Sequence, residues 1–298
     1  MTKITQCPIC NGISFAPFIT CIDYAVSHET FHLIKCSDCE LVITSPRPTT
    51  EQANRYYESS SYISHSNKAQ TLIDNIYVTA RTFTLRWKMS IVDKYAAPSP
   101  QKHLLDFGTG VGEFLKLAKS NGWNVAGVEP SEIARQKASD LISKDITASL
   151  EEIAHSKQTF DVVTAWHVIE HVHELNATIA TLKNLLRENG TLIIAVPNYR
   201  SWDAHHYKEN WAAYDVPRHL WHFSMKSMTR FLENHSLRLT GIVPMRLDAF
   251  YVGLLSEKYR TGSYTIRSAA TSFTNALRSN RYAKKSKEYS SLIYIAHR

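Results

Sequence analysis

The chain has 298 residues, of which 44% are hydrophobic and 20% charged, a balance that excludes disordered and fibrous classes. Its net charge of +7 keeps an anionic partner such as nucleic acid as an alternative, which we do not favour because basic residues are dispersed. The exception is a late cluster of Arg278, Arg281, Lys284, Lys285 and Lys287. No apolar run approaches the roughly 18 residues of a membrane span, and the start lacks an apolar signal core. We therefore expect a cytoplasmic protein with no membrane partner.

The amino-terminal segment contains all five cysteines. Four of them form two C-x2-C pairs separated by 25 residues, and these are Cys7, Cys10, Cys36 and Cys39. Four thiolates on two knuckles match a tetrahedral structural zinc site, which leaves no open position for catalysis. Cys21 falls outside the pairs and is expected to be a small core residue. The spacing predicts a zinc ribbon over residues 1–48.

The next segment, residues 49–100, is predicted to be a helical linker or lid. It follows the helix-breaking sequence Ser45-Pro-Arg-Pro48 and includes an amphipathic run from Ile73 to Val92. A second break, Ala96-Ala-Pro-Ser-Pro100, leads into the core.

The remaining residues, 101–298, alternate between strand and helix patterns. Strands alternating with helices predict an α/β, doubly wound fold with helices on both faces of a mostly parallel sheet. The predicted strands are 103–107, 123–128, 145–147, 160–166, 191–196, 237–244 and 291–296. Residues 248–288 interrupt this order and are interpreted as an insertion.

A glycine-rich loop follows the first of these strands. The strand contains Asp106, and Gly108, Gly110 and Gly112 follow before a helical pattern begins. Glycine is favoured where the backbone turns with unusual φ and approaches a ligand closely, and the helix N-terminus adds unpaired N–H groups. The second strand leads to Glu129, where this type of sheet holds ribose hydroxyls. The loop therefore predicts a nucleoside-bearing cofactor, while its G-x-G-x-G spacing departs from the dinucleotide motif G-x-G-x-x-G.

The order of these motifs resembles the class I S-adenosylmethionine (SAM)-dependent methyltransferases. Besides the glycine loop, the resemblance includes Phe160-Asp-Val-Val163, Glu170-His-Val172 and the segment from Leu185 to Asn198. With Tyr214-Asp-Val-Pro-Arg-His-Leu-Trp-His222 and the cysteine knuckles, it extends to the zinc-ribbon branch that includes the quinone-ring O-methyltransferases. The resemblance implies a Rossmann-like seven-stranded sheet with a reversed last strand, SAM as cofactor and structural zinc.

The resemblance also assigns the cofactor site. The glycines would line the methionine part, Asp106 would reach its ammonium group, Glu129 would accept both ribose hydroxyls, and adenine would lie near Ser149 and Leu150. His167, at the end of strand 160–166, would face the cofactor. The complete predicted cofactor set is Asp106, Gly108, Thr109, Gly110, Gly112, Glu129, Pro130, Ser149, Leu150 and His167.

The segment His167-Val-Ile-Glu170-His171 spells a zinc-protease motif, but it straddles a strand end, which excludes the required helical face. Quinone O-methyltransferases carry E-x-x-E-H here, resembling a divalent-metal site, and His167 replaces the first acid. We favour the interpretation that Glu170 and His171 cap the next helix and brace the loop, and leave metal assistance open.

The segment 214–223 is predicted to lie on the acceptor side of the site. Histidine can remove a proton from an acceptor near neutral pH, so His219 and His222 are the candidate catalytic bases. The candidate substrate-binding residues are Tyr214, Asp215, Arg218 and Trp221. The equally weighted alternative is that this segment packs as a lid and its polar residues brace it.

Together these features predict a SAM-dependent methyltransferase acting on a small molecule, through a hydroxyl of a secondary metabolite or of a quinone-like or sugar-like compound. One alternative is an rRNA or tRNA methyltransferase that uses the ribbon to bind RNA. Another is a non-catalytic SAM-binding interaction module. The sequence leaves the acceptor atom and the oligomeric state open.

Overall fold

A mixed sheet of six strands forms the centre of the molecule in the computed structural model, which describes residues 1–57 and 72–298, with side chains for 1–57 and 81–298. Its strand order is β5-β4-β6-β7-β10-β9. The strands are β4 (His103–Phe107), β5 (Asn124–Val128), β6 (Phe160–Trp166), β7 (Leu186–Pro197), β9 (Arg238–Pro244) and β10 (Ser291–His297). The first four are parallel, whereas β10 runs antiparallel between β7 and β9.

The predicted α/β, doubly wound fold with a reversed last strand is therefore confirmed. The strand expected at 145–147 is reduced to one parallel bridge between Val128 and Thr147, so this sheet has six regular strands in the part of the chain described, not the seven expected. The burial of β6 agrees with its sequence. The strand is a continuous apolar run, which is typical of a parallel strand covered on both faces, and it is buried along almost its whole length.

Helices connect and cover the strands. They are α1 (Thr50–Ala53), α2 (Leu72–Tyr95), α3 (Glu113–Ser120), α4 (Glu132–Ile142), α5 (Leu150–His155), α6 (Leu175–Leu185), α7 (Trp202–Tyr207), α8 (Met225–Asn234), α9 (Asp248–Thr261) and α10 (Ile266–Ser286). Ser131, Ser149 and Ser224 are N-caps, each accepting a backbone N–H of the first turn. No described helix is long and apolar enough to span a bilayer.

The helical structure predicted for 49–100 is only partly observed. α2 contains the amphipathic run predicted from Ile73 to Val92. Residues 58–71, also predicted to be helical, lie outside the described residues.

A second sheet of four strands, in the order β1-β2-β3-β8, forms the amino-terminal ribbon. It contains β1 (Phe15–Ile22), β2 (Thr30–Cys36) and β3 (Val42–Thr44), and its fourth strand, β8 (Trp221–His222), comes from the core. The ribbon thus packs against the segment 214–223, which the sequence assigns to the acceptor side of the site.

The region predicted as an insertion, 248–288, is a helical hairpin of α9 and α10. It lies between β9 and β10, the two adjacent strands at one edge of the sheet. α9 begins with Asp248, whose carboxylate contacts His167 at the end of β6. The hairpin therefore supplies a residue to the carboxyl end of the sheet.

Candidate cofactor and acceptor site

The glycine loop turns with positive φ at all three glycines, 77° at Gly108, 57° at Gly110 and 84° at Gly112. A Cβ on Gly108 would overlap Val168, and one on Gly112 would overlap the Ala138 backbone. A Cβ on Gly110 would have no atom within 4 Å. Gly108 and Gly112 are therefore required for packing of the loop itself, whereas Gly110 borders open space that a ligand could enter.

Glu129 closes this loop from the tip of β5. Its Oε2 accepts the Gly110 N–H over 2.7 Å, and its Oε1 accepts the Ser131 N–H over 2.9 Å. An ionised carboxylate has about four acceptor sites, so both oxygens keep capacity for two hydroxyl donors. The geometry suits the ribose-binding role expected of Glu129 and places that role beside Gly110.

Asp106 is buried beneath the loop, with 2% of its surface exposed. Its carboxylate accepts the Thr164 hydroxyl over 2.6 Å, and Thr109 Oγ1 lies 3.4 Å from its other oxygen. Burial raises the pKa of Asp106 to about 7, although the Thr164 hydrogen bond and Lys88 oppose this rise. Asp106 thus changes charge close to neutral pH, at the position expected to meet an ammonium group.

The other predicted cofactor residues follow the carboxyl ends of the strands in the chain. Thr109 is buried in the loop, and Pro130 is exposed after Glu129. Ser149 is the N-cap of α5, and Leu150 is buried at its first turn. Their placement beyond the ends of β4 and β5 agrees with an adenosine site at this edge.

His167 ends β6 in a left-handed conformation, with φ of 57°. Its Nδ1 lies 3.3 Å from Glu170 Oε1, and its Nε2 lies 3.1 Å from Asp248 Oδ2. Burial would lower the pKa of His167, but these two carboxylates outweigh it and raise the pKa to about 9. A cationic imidazole therefore lies between two acids at the carboxyl end of the sheet.

Glu170, His171 and His219 form a compact cluster next to His167, since one ligand atom from each lies within 4.8 Å of the others. Glu170 is fully buried. Its contact with His167 does not meet the geometry of a hydrogen bond, and neither carboxylate oxygen has another hydrogen-bond partner in the described structure. The His167 cation offsets part of the cost of burying this carboxylate, and a carboxylate with two imidazoles is a donor set that could hold a metal ion.

The helix-capping role that we favoured for Glu170 and His171 is wrong, because the N-cap of α6 is Glu174. Loop bracing is observed instead. The His171 ring lies 3.2 Å from the Arg218 carbonyl through Nδ1, and the Glu170 carbonyl accepts the Leu220 N–H over 2.8 Å. These bonds hold the segment 218–220 against the end of β6.

The two candidate bases occupy different environments. His219 Nδ1 lies 2.9 Å from the Ala213 carbonyl and can donate to it, which would leave Nε2 as a proton acceptor. His222 is buried on β8, and its Nε2 lies 3.0 Å from Thr44 Oγ1 of the ribbon. Burial lowers the pKa of His222 well below its usual value. The structure therefore joins His219 to the Glu170 cluster and ties His222 to the ribbon.

The residues predicted to bind substrate are mostly engaged with the protein. Arg218 is 3% exposed and pairs with Asp23 over 2.9 Å and with Asp215 over 2.7 Å. The Trp221 indole donates to the Val172 carbonyl over 2.7 Å, and Tyr214 is 3% exposed. The ribbon covers Trp221 and Tyr214, whereas Arg218 also borders a groove that is lined by Pro48 and Leu220. A role of these residues in binding substrate stays a prediction. Asp215 keeps part of its side chain exposed.

The ribbon brings its four paired cysteines together, with all four sulfurs within 4.8 Å of one another. The Sγ atoms of Cys7 and Cys39 lie 3.4 Å apart, as do those of Cys10 and Cys36, and no disulfide joins them. Four close thiols from two knuckles are a donor set that fits tetrahedral zinc. Cys21 is buried outside the group.

Three residues near the site were not identified from the sequence. Asp248 contacts His167 from α9, Lys88 lies with its Nζ 4.7 Å above the Trp166 ring, and Asp23 pairs with Arg218. Burial lowers the pKa of Lys88, against the attraction of Asp248 and Asp106. Each of the three is distant in sequence from its partner, so local patterns gave no signal for it.

Comparison with known families shows the same domain type. A family model described as a methyltransferase domain matches residues 81–240, more than half of the chain. A ubiquinone biosynthesis O-methyltransferase of Rhizobium etli is 30% identical over 111 residues, covering 35% of this chain and 45% of that protein. The same-named protein of Rhodopseudomonas palustris is 27% identical over 155 residues, covering 46% and 58%. The chain therefore matches less than two thirds of the length of either relative.

Solved structures share the fold at low identity. Geranyl diphosphate C-methyltransferase from Streptomyces coelicolor, in complex with Mg²⁺, geranyl diphosphate and S-adenosyl-L-homocysteine, superimposes with a TM-score of 0.52 at 14% identity. That match covers 83% of this chain and 97% of the other. Magnesium protoporphyrin IX methyltransferase from Synechocystis gives 0.50 at 15%, covering 82% and 92%. These likenesses establish the architecture described above.

Proposed function

We propose that this chain, which belongs to the methyltransferase-domain family, is a SAM-dependent methyltransferase that methylates a hydroxyl group of a small molecule. The methionine part of the cofactor would lie along Gly108–Gly112, with its ribose on Glu129. Support comes from the open space at Gly110 directly beside the Glu129 carboxylate. We also propose that the protein acts in the cytoplasm.

The observation that carries the small-molecule part of the proposal is a narrow cleft beside the Glu170 cluster. It has about 210 Å³ of empty space, counted up to open solvent, and its lining includes Pro48, Tyr57, His171 and Leu220. Because that figure includes open solvent, the cleft is a shallow groove at the surface and not an enclosed cavity. Its aromatic wall suits a flat acceptor better than a folded RNA.

Oxygen is the proposed methylated atom. A hydroxyl must lose its proton during transfer, and His219 is placed at the cluster with a hydrogen bond that can fix its tautomer. The relatives named ubiquinone biosynthesis O-methyltransferases are, by that name, enzymes that methylate oxygen. Catalysis would otherwise rest on holding the acceptor in line with the sulfonium methyl group.

The test uses SAM carrying a deuterated methyl group, offered with a panel of hydroxylated quinones, phenols and sugars and, separately, with total RNA. We expect the deuterated methyl group on the oxygen of a small acceptor, detected by mass spectrometry. Label in RNA would support the alternative that the ribbon binds RNA. Binding of SAM without any transfer would support the interaction-module alternative. Either result contradicts the proposal.

We further propose that the ribbon holds one structural zinc through Cys7, Cys10, Cys36 and Cys39. Purified protein should contain about one zinc per chain by elemental analysis. Cys36→Ser should reduce this to near zero and lower the thermal unfolding midpoint, because three thiolates cannot complete the tetrahedral set. Cys21→Ser is the control that should retain zinc. Well-folded wild-type protein without metal would contradict the assignment.

SAM affinity should depend on the charge of Asp106. Its pKa of about 7 means that the carboxylate is mostly ionised at pH 8 and mostly protonated at pH 6. Since only the ionised form attracts the cofactor's ammonium group, affinity should fall as pH drops from 8 to 6, by up to about tenfold. Asp106→Asn should bind weakly at both pH values and show a flatter profile in calorimetry. An equally steep profile in Asp106→Asn would assign the pH dependence to another group.

A further inference from the structure

Helix α10 has an inverted distribution of residues. Its buried positions are small or polar, and they are Ser268, Ser272, Asn275, Ala276, Ser279 and Ala283. Its large apolar residues point outward: Ile266 is 92% exposed, Phe273 56% and Leu277 50%. A surface helix of a globular protein normally buries its large apolar side chains. Because this helix does the reverse, its outer face has the composition of a contact surface.

Hydrogen bonds explain the orientation of the helix. Ser279 donates to Asp203 Oδ1 over 2.7 Å, and Asn275 donates to the Tyr207 hydroxyl over 3.1 Å, both partners on α7. Rotating α10 to bury Phe273 and Leu277 would break these buried bonds and leave polar groups unsatisfied. The outward direction of the apolar residues is therefore fixed by the packing of the hairpin.

The apolar residues share one face. Ile266, Phe273 and Leu277 are separated by seven and four residues, which places them within about 40° of one another around a helix of 3.6 residues per turn. We refer to these three residues as the α10 face. Single exposed apolar residues are ordinary, but three aligned along one helix face form an apolar stripe.

The charge of α10 indicates an anionic partner. α10 carries five basic residues and no acidic one, and all five are exposed: Arg267, Arg278, Arg281, Lys284 and Lys285. None of them forms an ion pair with another residue of the described chain. A second copy would bring the same positive charges together, which is unfavourable. Nucleic acid would use the charges but not the aliphatic residues Ile266 and Leu277.

We propose that α10 binds an anionic phospholipid surface, with the α10 face inserted at the level of the headgroups and the five basic residues contacting lipid phosphates. This departs from the sequence-based expectation of no membrane partner, which considered only spanning segments. A helix lying in the interface does not need to span the bilayer. The inference concerns this surface and does not depend on the acceptor of the methyl group.

The test is flotation of the full-length protein with vesicles. Protein should float with vesicles of phosphatidylcholine and phosphatidylglycerol, remain behind with phosphatidylcholine alone, and bind less at high salt, where charges are screened. The double variant Phe273→Ser/Leu277→Ser should weaken binding at least tenfold, because inserted apolar area is lost. Ile13→Gln, at a ribbon position that is 79% exposed, is the control that should bind like wild type.

Two triple variants that each remove three positive charges test the role of the basic residues on α10. Arg281→Gln/Lys284→Gln/Lys285→Gln should weaken vesicle binding by about a hundredfold, at roughly fivefold for each charge. Lys116→Gln/Lys137→Gln/Lys157→Gln removes the same charge from exposed positions elsewhere and should have a much smaller effect. S-adenosylhomocysteine binding should be unchanged in all of these variants, so failure of lipid binding would be distinct from failure of the methyltransferase proposal.

Several outcomes would overturn the inference. Equal flotation with neutral and anionic vesicles, or flotation with neither, would exclude an anionic lipid surface. So would unchanged binding by Phe273→Ser/Leu277→Ser in protein that remains folded by circular dichroism. A dimer detected by light scattering and abolished by that double variant, without vesicle binding, would assign the α10 face to a second copy. RNA binding that needs the charges but not Phe273 and Leu277 would assign the basic residues to nucleic acid.

Discussion

Replacing Gly110 by arginine is expected to abolish measurable binding of SAM and S-adenosylhomocysteine by calorimetry. Gly110 has φ of 57°, its N–H contacts Glu129, and a Cβ built on it meets no protein atom within 4 Å. An arginine side chain can therefore be accommodated without a protein clash, but it would fill the space proposed for the cofactor. The backbone strain of a residue other than glycine at positive φ is about 1–2 kcal/mol, which the fold should tolerate.

Gly122→Arg is the matched control. Gly122 also has a positive φ, 83°, and also has no atom within 4 Å of a built Cβ, but it follows the far end of α3. It should impose a similar strain and leave cofactor binding intact. Retained SAM affinity in Gly110→Arg, or equal loss in both variants, would contradict the placement of the cofactor at this loop.

Replacing His219 by alanine should lower the turnover number by about 10²–10⁴ with little change in SAM affinity. His219 belongs to the cluster with Glu170 and His171, whereas no contact links it to the glycine loop in the described structure. The measurement compares single-turnover methyl transfer with calorimetric binding in the same preparation. Full activity in His219→Ala would leave proximity as the source of catalysis and make segment 214–223 a lid.

His222→Gln is the control for this prediction. His222 contacts Thr44 within the ribbon interface. The variant should therefore lower the free energy of unfolding by about 1 kcal/mol and reduce the rate of methyl transfer by less than tenfold. A chelator separates two roles for His219. Loss of wild-type activity on chelation, with recovery on adding Mg²⁺, would make His219 a metal ligand with Glu170. Unchanged activity would support its role as the base.

The sheet could be predicted from the sequence because each strand carries its own signal. β6 is a continuous apolar run, β4 is followed by Gly108, and β5 is followed by Glu129. Serines at the N-cap positions mark the starts of three helices, and they are Ser131, Ser149 and Ser224. The cysteine spacing likewise predicted the cluster of Cys7, Cys10, Cys36 and Cys39. These features depend on residues that are near one another in the chain.

The acceptor side could not be predicted in the same way. β8 has only two residues, too short for a pattern, yet it joins the ribbon sheet and buries Trp221 and His222. The Arg218–Asp23 pair links positions far apart in the chain, and Asp248 reaches His167 from a region that the sequence marked only as an insertion. Their roles follow from tertiary contacts, which periodicity does not encode.

The most direct test of the account is a crystal structure with S-adenosylhomocysteine and a methyl acceptor identified by the deuterium assay. We expect the homocysteine portion along Gly108–Gly112, both ribose hydroxyls on Glu129, and the acceptor oxygen between the sulfur and His219. Cofactor density outside this loop, or an acceptor on the side of the sulfur away from His219, would contradict the proposed site.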